Sequence, residues 1–203
     1  TGRVTAWNPG LRGSPYGVSV DALVVSGSSV YVGGWFSRVG GKARKNLAAI
    51  DITTGRTTGW NPGTNDPVRA LAVSGATGYV GGECARIGGQ TRNNLAALDA
   101  VTGRATDWNP DAEGGVYALA VSGTTVYAGG WFTRIGGQTR TRLAALDAET
   151  GTATAWDPKA NDSVEALAVA GTTVYAGGWF DSAGGQTRNH LAAVDATTGT
   201  LTD

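Results

Sequence analysis

Four copies of the dipeptide Thr-Gly stand at a constant interval within similar segments of this chain. They lie at 54–55, 102–103, 150–151 and 198–199, so that each of them follows the previous one by 48 residues. The segment GGWFTRIGGQTRTRLAALDAETG (129–151) has close counterparts at 33–55, 81–103 and 177–199. A fixed period of this length means that one supersecondary unit is repeated and that neighbouring units bury a core between them. The fold of these 203 residues is therefore expected to be an array of similar units.

Each period contains four short segments with the composition of β-strands. In the third repeat they are strand a (116–123), strand b (124–132), strand c (143–148) and strand d (150–156). All are rich in β-branched, small or aromatic residues. Ser-Gly-Thr-Thr between a and b, and Asp-Ala-x-Thr-Gly between c and d, suit tight hairpin turns. No segment has the 3.6-residue apolar period of a helix.

The pattern of these strands predicts the fold class. Strands a and c are apolar on both faces, so both faces must be covered by other sheets. Paired glycines on strand b and the Ala-Ala of strand c let neighbouring backbones approach closely. We therefore predict an all-β fold, a β-propeller of 48-residue, four-stranded blades with four blades in this chain. The single domain spans 1–203, with a preceding strand d at 1–7 and repeats at 8–60, 61–108, 109–156 and 157–203.

The sequence resembles two kinds of propeller repeat. VYAGGWFTRIGGQTRTRLAALDAETG (126–151) is similar to the delta-60 type of bacterial β-propeller repeat, with its GG-x-F…GG…R…LA core. LAALDAETGTATAW (143–156) is similar to the repeat of pyrroloquinoline-quinone-type propellers, in which an A-x-D-x-x-TG-x-x-x-W stretch docks blade against blade. The resemblance covers nearly the whole chain and implies a propeller scaffold, often found in secreted or cell-surface proteins. It does not imply the quinone enzymes' activity, because it is confined to the docking strand pair.

Two sets of residues take a structural role from this resemblance. The indoles would dock one blade on the next, and the aspartates would form the matching turns. The sets are Trp7, Trp60, Trp108 and Trp156 for docking, and Asp51, Asp99, Asp147 and Asp195 for the turns. A Trp repeated in every blade suits the core, where its ring buries a large area and its N–H needs a fixed partner.

Comparing the repeats separates residues that serve every blade from residues free for another role. An arginine recurs in all four copies, which favours a structural role over the alternative, a ring that binds an acidic ligand. These arginines are Arg44, Arg92, Arg140 and Arg188. The position before Ala-Leu at the start of strand a varies most, and reads Asp21, Arg69, Tyr117 and Glu165. Because strand a is innermost in a propeller, we predict that these four lie around one mouth of the central channel, beside variable d–a loops. Drift of solvated loops would give the same variation.

A second candidate set is aromatic. Trp35, Trp131 and Trp179 follow the paired glycines, where the second repeat has Glu83. An exposed aromatic side chain on the long b–c loop is suited to stack on a sugar or on a partner protein. The alternative is that each indole simply covers its own loop.

Few residues of this sequence are suited to catalysis or to metal binding. His190 is the only histidine, and its equivalents Asn46, Asn94 and Arg142 indicate a surface position. No spacing matches a metal site and no Ser-His-Asp set can be assembled, so we expect no metal, no cofactor and no catalytic residues. A carboxylate pair of Asp21 and Glu165 stays open, because the sequence gives no separation. Cys84 replaces a Phe of the repeat and is expected to be buried.

Charge and hydropathy limit the classes of binding partner that this sequence predicts. The 16 basic residues balance the 16 acidic ones, so no nucleic-acid partner is expected, and no apolar run is long enough for membrane insertion. We predict a non-catalytic extracellular or cell-surface binding or adhesion propeller that presents loops to a glycan or protein ligand. The alternatives are a propeller enzyme of the polysaccharide lyase, glycosidase or quinone-dependent oxidoreductase type, and a purely structural repeat fragment or engineered propeller.

The two ends of the sequence bear on how the propeller is completed. The chain begins with a complete strand d (1–7) and ends inside another (198–203). Closure within one chain would make 1–7 the outer strand of the blade at 164–196 and leave 199–203 without a place in the sheet. We predict instead a slice of a longer array, completed by self-association with a second copy or by further blades. A closed four-bladed ring is the alternative.

Overall fold

The computed structural model describes residues 5–13 and 17–202. Within these residues the regular elements are 21 strands. There is accordingly no helix among them with the length and hydropathy to cross a membrane.

The strands follow the repeats of the sequence. The first repeat contains β1 (Leu11–Arg12), β2 (Ser19–Ser26), β3 (Ser29–Trp35), β4 (Arg38–Val39), β5 (Lys42–Ala43) and β6 (Leu47–Asp51). The second contains β7 (Val68–Ser74), β8 (Thr77–Gly82), β9 (Arg86–Ile87), β10 (Gln90–Thr91) and β11 (Leu95–Asp99). The third contains β12 (Gly114–Ser122), β13 (Thr125–Phe132), β14 (Arg134–Ile135), β15 (Gln138–Thr139) and β16 (Leu143–Asp147). The fourth contains β17 (Val164–Ala170), β18 (Thr173–Gly178), β19 (Ser182–Ala183), β20 (Gln186–Thr187) and β21 (Leu191–Asp195).

Each repeat forms one antiparallel sheet, a blade, in which the three longer strands lie in the order a-b-c. In the third repeat β12 pairs with β13, and β13 pairs with β16. Strand d is shorter than the sequence predicts. In each repeat it pairs with strand c through one isolated β-bridge. The bridges are Ile50–Thr57, Leu98–Ala105, Leu146–Ala153 and Val194–Leu201. After the bridge the chain leaves the sheet, since the tryptophan that follows in the first three repeats reaches the next blade.

The connection between strands b and c is a second, smaller hairpin rather than the plain loop expected from the sequence. In the third repeat β14 pairs with β15 around Gly136 and Gly137, whose φ angles of 60° and 78° are left-handed. Glycine reaches this region without strain. In the first repeat β1 pairs with β4, so the longer d–a connection there adds a strand to the small hairpin.

The core lies between successive blades. Strands β2, β7, β12 and β17 lie side by side in that order, as expected for the innermost strands of a propeller. Tyr127 and Leu143 of the third blade pack with Val164 of the fourth in one apolar cluster. A Cβ on Gly129 would lie 2.6 Å from Cγ1 of Val164. The first glycine of the pair on strand b therefore makes room for a valine of the next blade.

Candidate functional site

The variable position of strand a is a β-bulge. In the third repeat Val116 pairs with Gly130 and Ala118 pairs with Gly129, which leaves Tyr117 as the extra residue. The same register shift occurs at Asp21, Arg69 and Glu165. A bulge bends its strand and re-aims the extra side chain, and such bulges are common beside binding sites. The same backbone device thus presents all four variable side chains.

The second glycine of each pair on strand b permits the bulge. A Cβ on Gly130 would overlap the carbonyl oxygen of Gly115, the residue that precedes the bulge. The same close approach joins Gly34 to Ser19, Gly82 to Pro67 and Gly178 to Ser163. The paired glycines therefore have separate tasks, because the first admits the next blade and the second admits the bulged strand of its own blade.

The four bulges converge on one cavity at the start of the side-by-side inner strands. The cavity has a volume of about 440 Å³, and its lining consists of Asp21, Arg69, Glu83, Tyr117 and Glu165. The structure thus brings the four variable residues of strand a to one opening. Whether they bind a ligand stays a prediction.

Ionic contacts and hydrogen bonds connect most of this lining across three blades. Nη1 of Arg69 lies 2.8 Å from Oδ2 of Asp21, and Nη2 of Arg69 lies 4.0 Å from Oε2 of Glu83. The hydroxyl of Tyr117 donates to Oε1 of Glu83 at 3.0 Å. Glu165 accepts a hydrogen bond of 2.7 Å from the hydroxyl of Ser163 in its own blade.

The electrostatics keep the Tyr117 phenol protonated. Burial, followed by the hydrogen bond and the charge of Glu83, raises the pKa of Tyr117 to about 12. At neutral pH the cavity therefore offers a hydroxyl and a guanidinium as donors. Three carboxylates, on Asp21, Glu83 and Glu165, face them as acceptors.

Glu83 is the site residue that sequence reasoning missed. It occupies the position at which the other repeats carry a tryptophan. That break in the repeat is visible in the sequence, but by itself it indicates only that the fold tolerates a residue other than tryptophan there. Since the position lies beside the bulge of the next blade, a charged residue there becomes part of the cavity.

The three tryptophans at this position have different surroundings. Trp35 ends β3 and, with Arg69, lines a neighbouring groove of about 460 Å³. Trp131 lies in β13 beneath the guanidinium of Arg142, whose Cζ is 3.7 Å from the ring centroid. Trp179 is 71% exposed. Among the described residues Trp131 and Trp179 do not line the cavity, so Trp35 is the member of the predicted set that lies beside it.

The docking tryptophans connect the blades. The indole N–H groups of Trp60, Trp108 and Trp156 donate to the carbonyl oxygens of Asp99, Asp147 and Asp195 at 3.1, 3.0 and 2.9 Å. These three indoles are buried, and each meets the strand b tyrosine of its own repeat edge to face. Trp7 differs, because it is 37% exposed and its bond to the Asp51 carbonyl is 3.4 Å long.

The turn aspartates organise the c–d turns. Oδ1 of Asp147 accepts hydrogen bonds from the backbone N–H of Glu149 and from both the N–H and the hydroxyl of Thr150. These bonds favour the charged carboxylate and lower the pKa of Asp147. Hydrogen bonds to the following threonine likewise lower the pKa values of Asp51, Asp99 and Asp195.

The repeated arginines hydrogen-bond to backbone carbonyls within their own repeats. Nη1 of Arg92 donates to the Thr91 oxygen at 2.9 Å, and Nη2 donates to the Thr106 oxygen at 2.7 Å. Arg44 and Arg140 make the equivalent pair of bonds, and Arg188 makes the first of them. The guanidinium thus joins the small hairpin to strand d, a structural task.

The remaining single candidates have structural explanations. Cys84 is fully buried, as expected, and burial raises the pKa of its thiol to about 11. His190 is exposed. Its φ of 64° is left-handed, and Asn46, Asn94 and Arg142 share this backbone conformation. Asparagine tolerates this region better than most residues. In the part of the chain that the structure describes, no group of three or more His, Cys, Asp or Glu side chains is arranged to hold a metal.

Comparison with known proteins identifies this architecture as a β-propeller. Residues 125–152 match the family model described as a domain of unknown function (DUF5122) β-propeller. No curated protein sequence matches the chain significantly.

Solved structures share the fold at low sequence identity. The computationally designed protein Ika8 is 20% identical over 90% of this chain and 47% of its own, with a TM-score of 0.55. The designed protein Ika4 is 17% identical over 92% of this chain and 95% of its own, with a TM-score of 0.59. The WD40 domain of Pan2 from Neurospora crassa is 12% identical over 91% and 51%, with a TM-score of 0.58. The chain thus spans about half the length of Ika8 and of the Pan2 domain. The family model and the shared fold together show that it is a β-propeller repeat protein.

Proposed function

We propose that this chain is a non-catalytic binding propeller that holds a glycan at the cavity between its inner strands. One observation carries the proposal. The positions that differ most among otherwise similar repeats, Asp21, Arg69, Tyr117 and Glu165, converge through four bulges on one cavity. A rigid scaffold whose inner strands vary most where they open to solvent is suited to recognition.

The chemistry of the lining favours sugar hydroxyls. Arg69 and Tyr117 supply donors next to carboxylate acceptors, so a hydroxyl that both donates and accepts finds partners on either side. Three carboxylates against one guanidinium disfavour acidic polysaccharides. Trp35, in the groove that shares Arg69, adds an aromatic face on which a sugar ring can stack.

The resemblance of the repeats to the delta-60 type supports an extracellular or cell-surface location and a role in adhesion. Similarity to designed propellers is in keeping with the alternative of a structural array without a ligand. A protein ligand at the same cavity is the other class of binding partner. The experiment below separates these outcomes.

A glycan array probed with the 203-residue chain tests the proposal. We expect neutral glycans to bind, and Arg69→Ala and Glu165→Gln to weaken the best hit at least tenfold. Glu149→Gln, an exposed change in a c–d turn, is the matched control and should bind like wild type. Glycans recovered unchanged after long incubation support binding without catalysis, whereas cleaved glycans would show an enzyme. Absence of any hit that depends on Arg69 would overturn the glycan site.

A further inference from the structure

The first blade exposes an apolar face that every later blade packs against the blade before it. On β2, Val20 is 43% exposed, Leu23 is 65% exposed and Val25 is 54% exposed. Val68, the counterpart of Val20 in the second blade, is fully buried. Leu71, the counterpart of Leu23, packs against the core cluster that the first and second blades share. We call the surface formed by Val20, Leu23 and Val25 the leading face.

The fourth blade has the opposite apolar face uncovered. Tyr175 is 43% exposed and Leu191 is 64% exposed. Their counterparts in the third blade, Tyr127 and Leu143, are 3% and 0% exposed because they pack against the fourth blade. We call the surface around Tyr175, Gly177 and Leu191 the trailing face.

Gly177 shows that the trailing face is shaped for a further blade. A Cβ on its counterparts Gly33, Gly81 and Gly129 would lie within 3 Å of a Cγ1 atom of Val68, Val116 and Val164, the valines of the following blades. A Cβ on Gly177 would come no closer than 3.7 Å to any neighbour, the nearest being the His190 oxygen. The fourth blade thus has the glycine of strand b, Gly177, but no valine of a following blade lies against it. The equivalent valine that has no such glycine beside it is Val20, on the leading face.

We propose that the trailing face of one chain packs on the leading face of a second copy. For strands a to c the contact repeats the contact already made between successive blades of one chain, so its geometry is set by the repeat. At strand d the residues before Trp7 of the second copy and those after Leu201 of the first copy are equivalent positions, so one of these two segments gives up its place at the sheet edge. Val20 of the second copy fits against Gly177, as Val164 fits against Gly129. This assignment does not depend on the proposed glycan site.

Trp7 supplies the remaining part of this contact. Inside the chain Tyr127 meets Trp156 edge to face at 5.2 Å and donates to the Ala196 oxygen at 2.9 Å. By the repeat, the equivalent partners of Tyr175 are Trp7 and the carbonyl of Ile52 in a second copy. Trp7 already bonds to the Asp51 carbonyl and is more exposed than the other docking indoles. Packing against Tyr175 covers its free face.

Two such contacts close a ring of two chains. A head-to-tail contact that does not close produces filaments, whereas closure leaves no apolar face at either end. The chain covers 47% of the Ika8 chain and 51% of the Pan2 domain, so these propellers are about twice as long as this chain, the length that a ring of two chains would have. Closure also brings a second set of bulge side chains to the cavity, which a single chain leaves open on one side.

Light scattering after size exclusion tests the assembly. We expect the wild-type chain at micromolar concentration to have twice the 20.6-kDa mass of one chain. Gly177→Val and Leu23→Glu each spoil one face and should shift the mass to that of one chain. Circular dichroism and thermal unfolding should show both variants folded, since Gly177 has free space and Leu23 is exposed. Val101→Glu, at an 80% exposed position in a c–d turn, should remain a dimer.

Mixing the two blocked variants identifies the mode of contact. One intact leading face and one intact trailing face remain, so a 1:1 mixture should form a dimer that each variant alone does not form. This dimer has one contact instead of two and should dissociate at least tenfold more readily than wild type. A monomeric wild type, a Gly177→Val variant that still dimerises, or a mass that grows with concentration into filaments would each overturn the proposed ring.

Discussion

The indole nitrogen of Trp108 donates a 3.0 Å hydrogen bond to the main-chain oxygen of Asp147, 39 residues further along and in the next blade. The side chain of the same aspartate organises the turn that holds this oxygen in place. One residue therefore builds the turn and receives the preceding blade. The blade contact and the local turn are consequently coupled at every repeat.

Replacing Trp108 with Ala should lower the free energy of unfolding by about 3–5 kcal/mol, as for other large buried aromatics. The indole is 5% exposed, so the change removes both packing and the bond to Asp147. Trp7→Ala is the matched control at a 37% exposed indole and should cost well under half as much when both variants are made in the monomeric Leu23→Glu background, where the proposed contact of Trp7 with a second copy is absent. Urea denaturation followed by circular dichroism measures both, and equal losses would contradict the docking role.

The turn aspartates should make the fold sensitive to acid. Hydrogen bonds to Thr150 lower the folded-state pKa of Asp147 below its ordinary value. Its stabilising contribution is then complete above the unfolded-state pKa of about 3.9 and is lost as pH falls through the lower, folded value. Asp147→Asn should therefore lower Tm at pH 7, and the difference from wild type should shrink between pH 5 and pH 2.5. A difference that stays constant over this range would rule out the charged turn.

The left-handed residue before strand c offers a stabilising change. His190 has a φ of 64°, a conformation that asparagine adopts more readily. At the equivalent Asn46, Oδ1 also accepts a hydrogen bond of 3.2 Å from the Phe36 N–H. His190→Asn should therefore stabilise the chain by at most about 1 kcal/mol, the lower end of the left-handed penalty. The midpoint of urea unfolding should rise, while His190→Ala should leave it unchanged or lower it.

The two glycines of strand b should respond differently to a methyl group. Gly130→Ala places a Cβ against the Gly115 carbonyl and should cost about 1–3 kcal/mol or more, because the bulged backbone must move. Gly177→Ala meets no atom closer than 3.7 Å and should be close to neutral for folding of the single chain. Thermal unfolding of both variants under monomeric conditions decides this. Equal effects would show that the bulge does not require Gly130.

The repeat predicts much of this structure, and the part that it does not predict lies in the backbone. Tyr117 and its equivalents are recognisable as variable positions on an inner strand, so their shared opening follows from periodicity. The bulge that presents Tyr117 depends on the approach of Gly130 to Gly115, and a shift of one residue in register is not encoded in strand composition. Likewise strand d reads as a full strand, but the docking of its tryptophan on the next blade shortens it.

The contribution of Glu83 could not be deduced for a related reason. A break in a repeat shows only that the fold tolerates the change, and the gain appears when the neighbouring blade is in place. Glu83 lies in the second blade, but the hydroxyl from which it accepts a hydrogen bond belongs to Tyr117 in the third blade. Its role is thus a property of the pair of blades, which a comparison of equivalent positions does not reveal.

The pairing of Glu83 with Tyr117 gives the last prediction. Burial is the largest cause of the high pKa of Tyr117, and the hydrogen bond and charge of Glu83 follow. Glu83→Ala removes both contributions of the carboxylate, so the pKa of Tyr117 should fall from about 12 towards its ordinary value of 10.0 while remaining above it. Glu83→Gln removes the charge but keeps an acceptor, and should give an intermediate value. Ultraviolet titration of tyrosinate measures the shift, with Tyr117→Phe subtracted to isolate this residue from the other five tyrosines of the six in the chain. Identical titrations of wild type and Glu83→Ala would show that the two side chains are not coupled in solution.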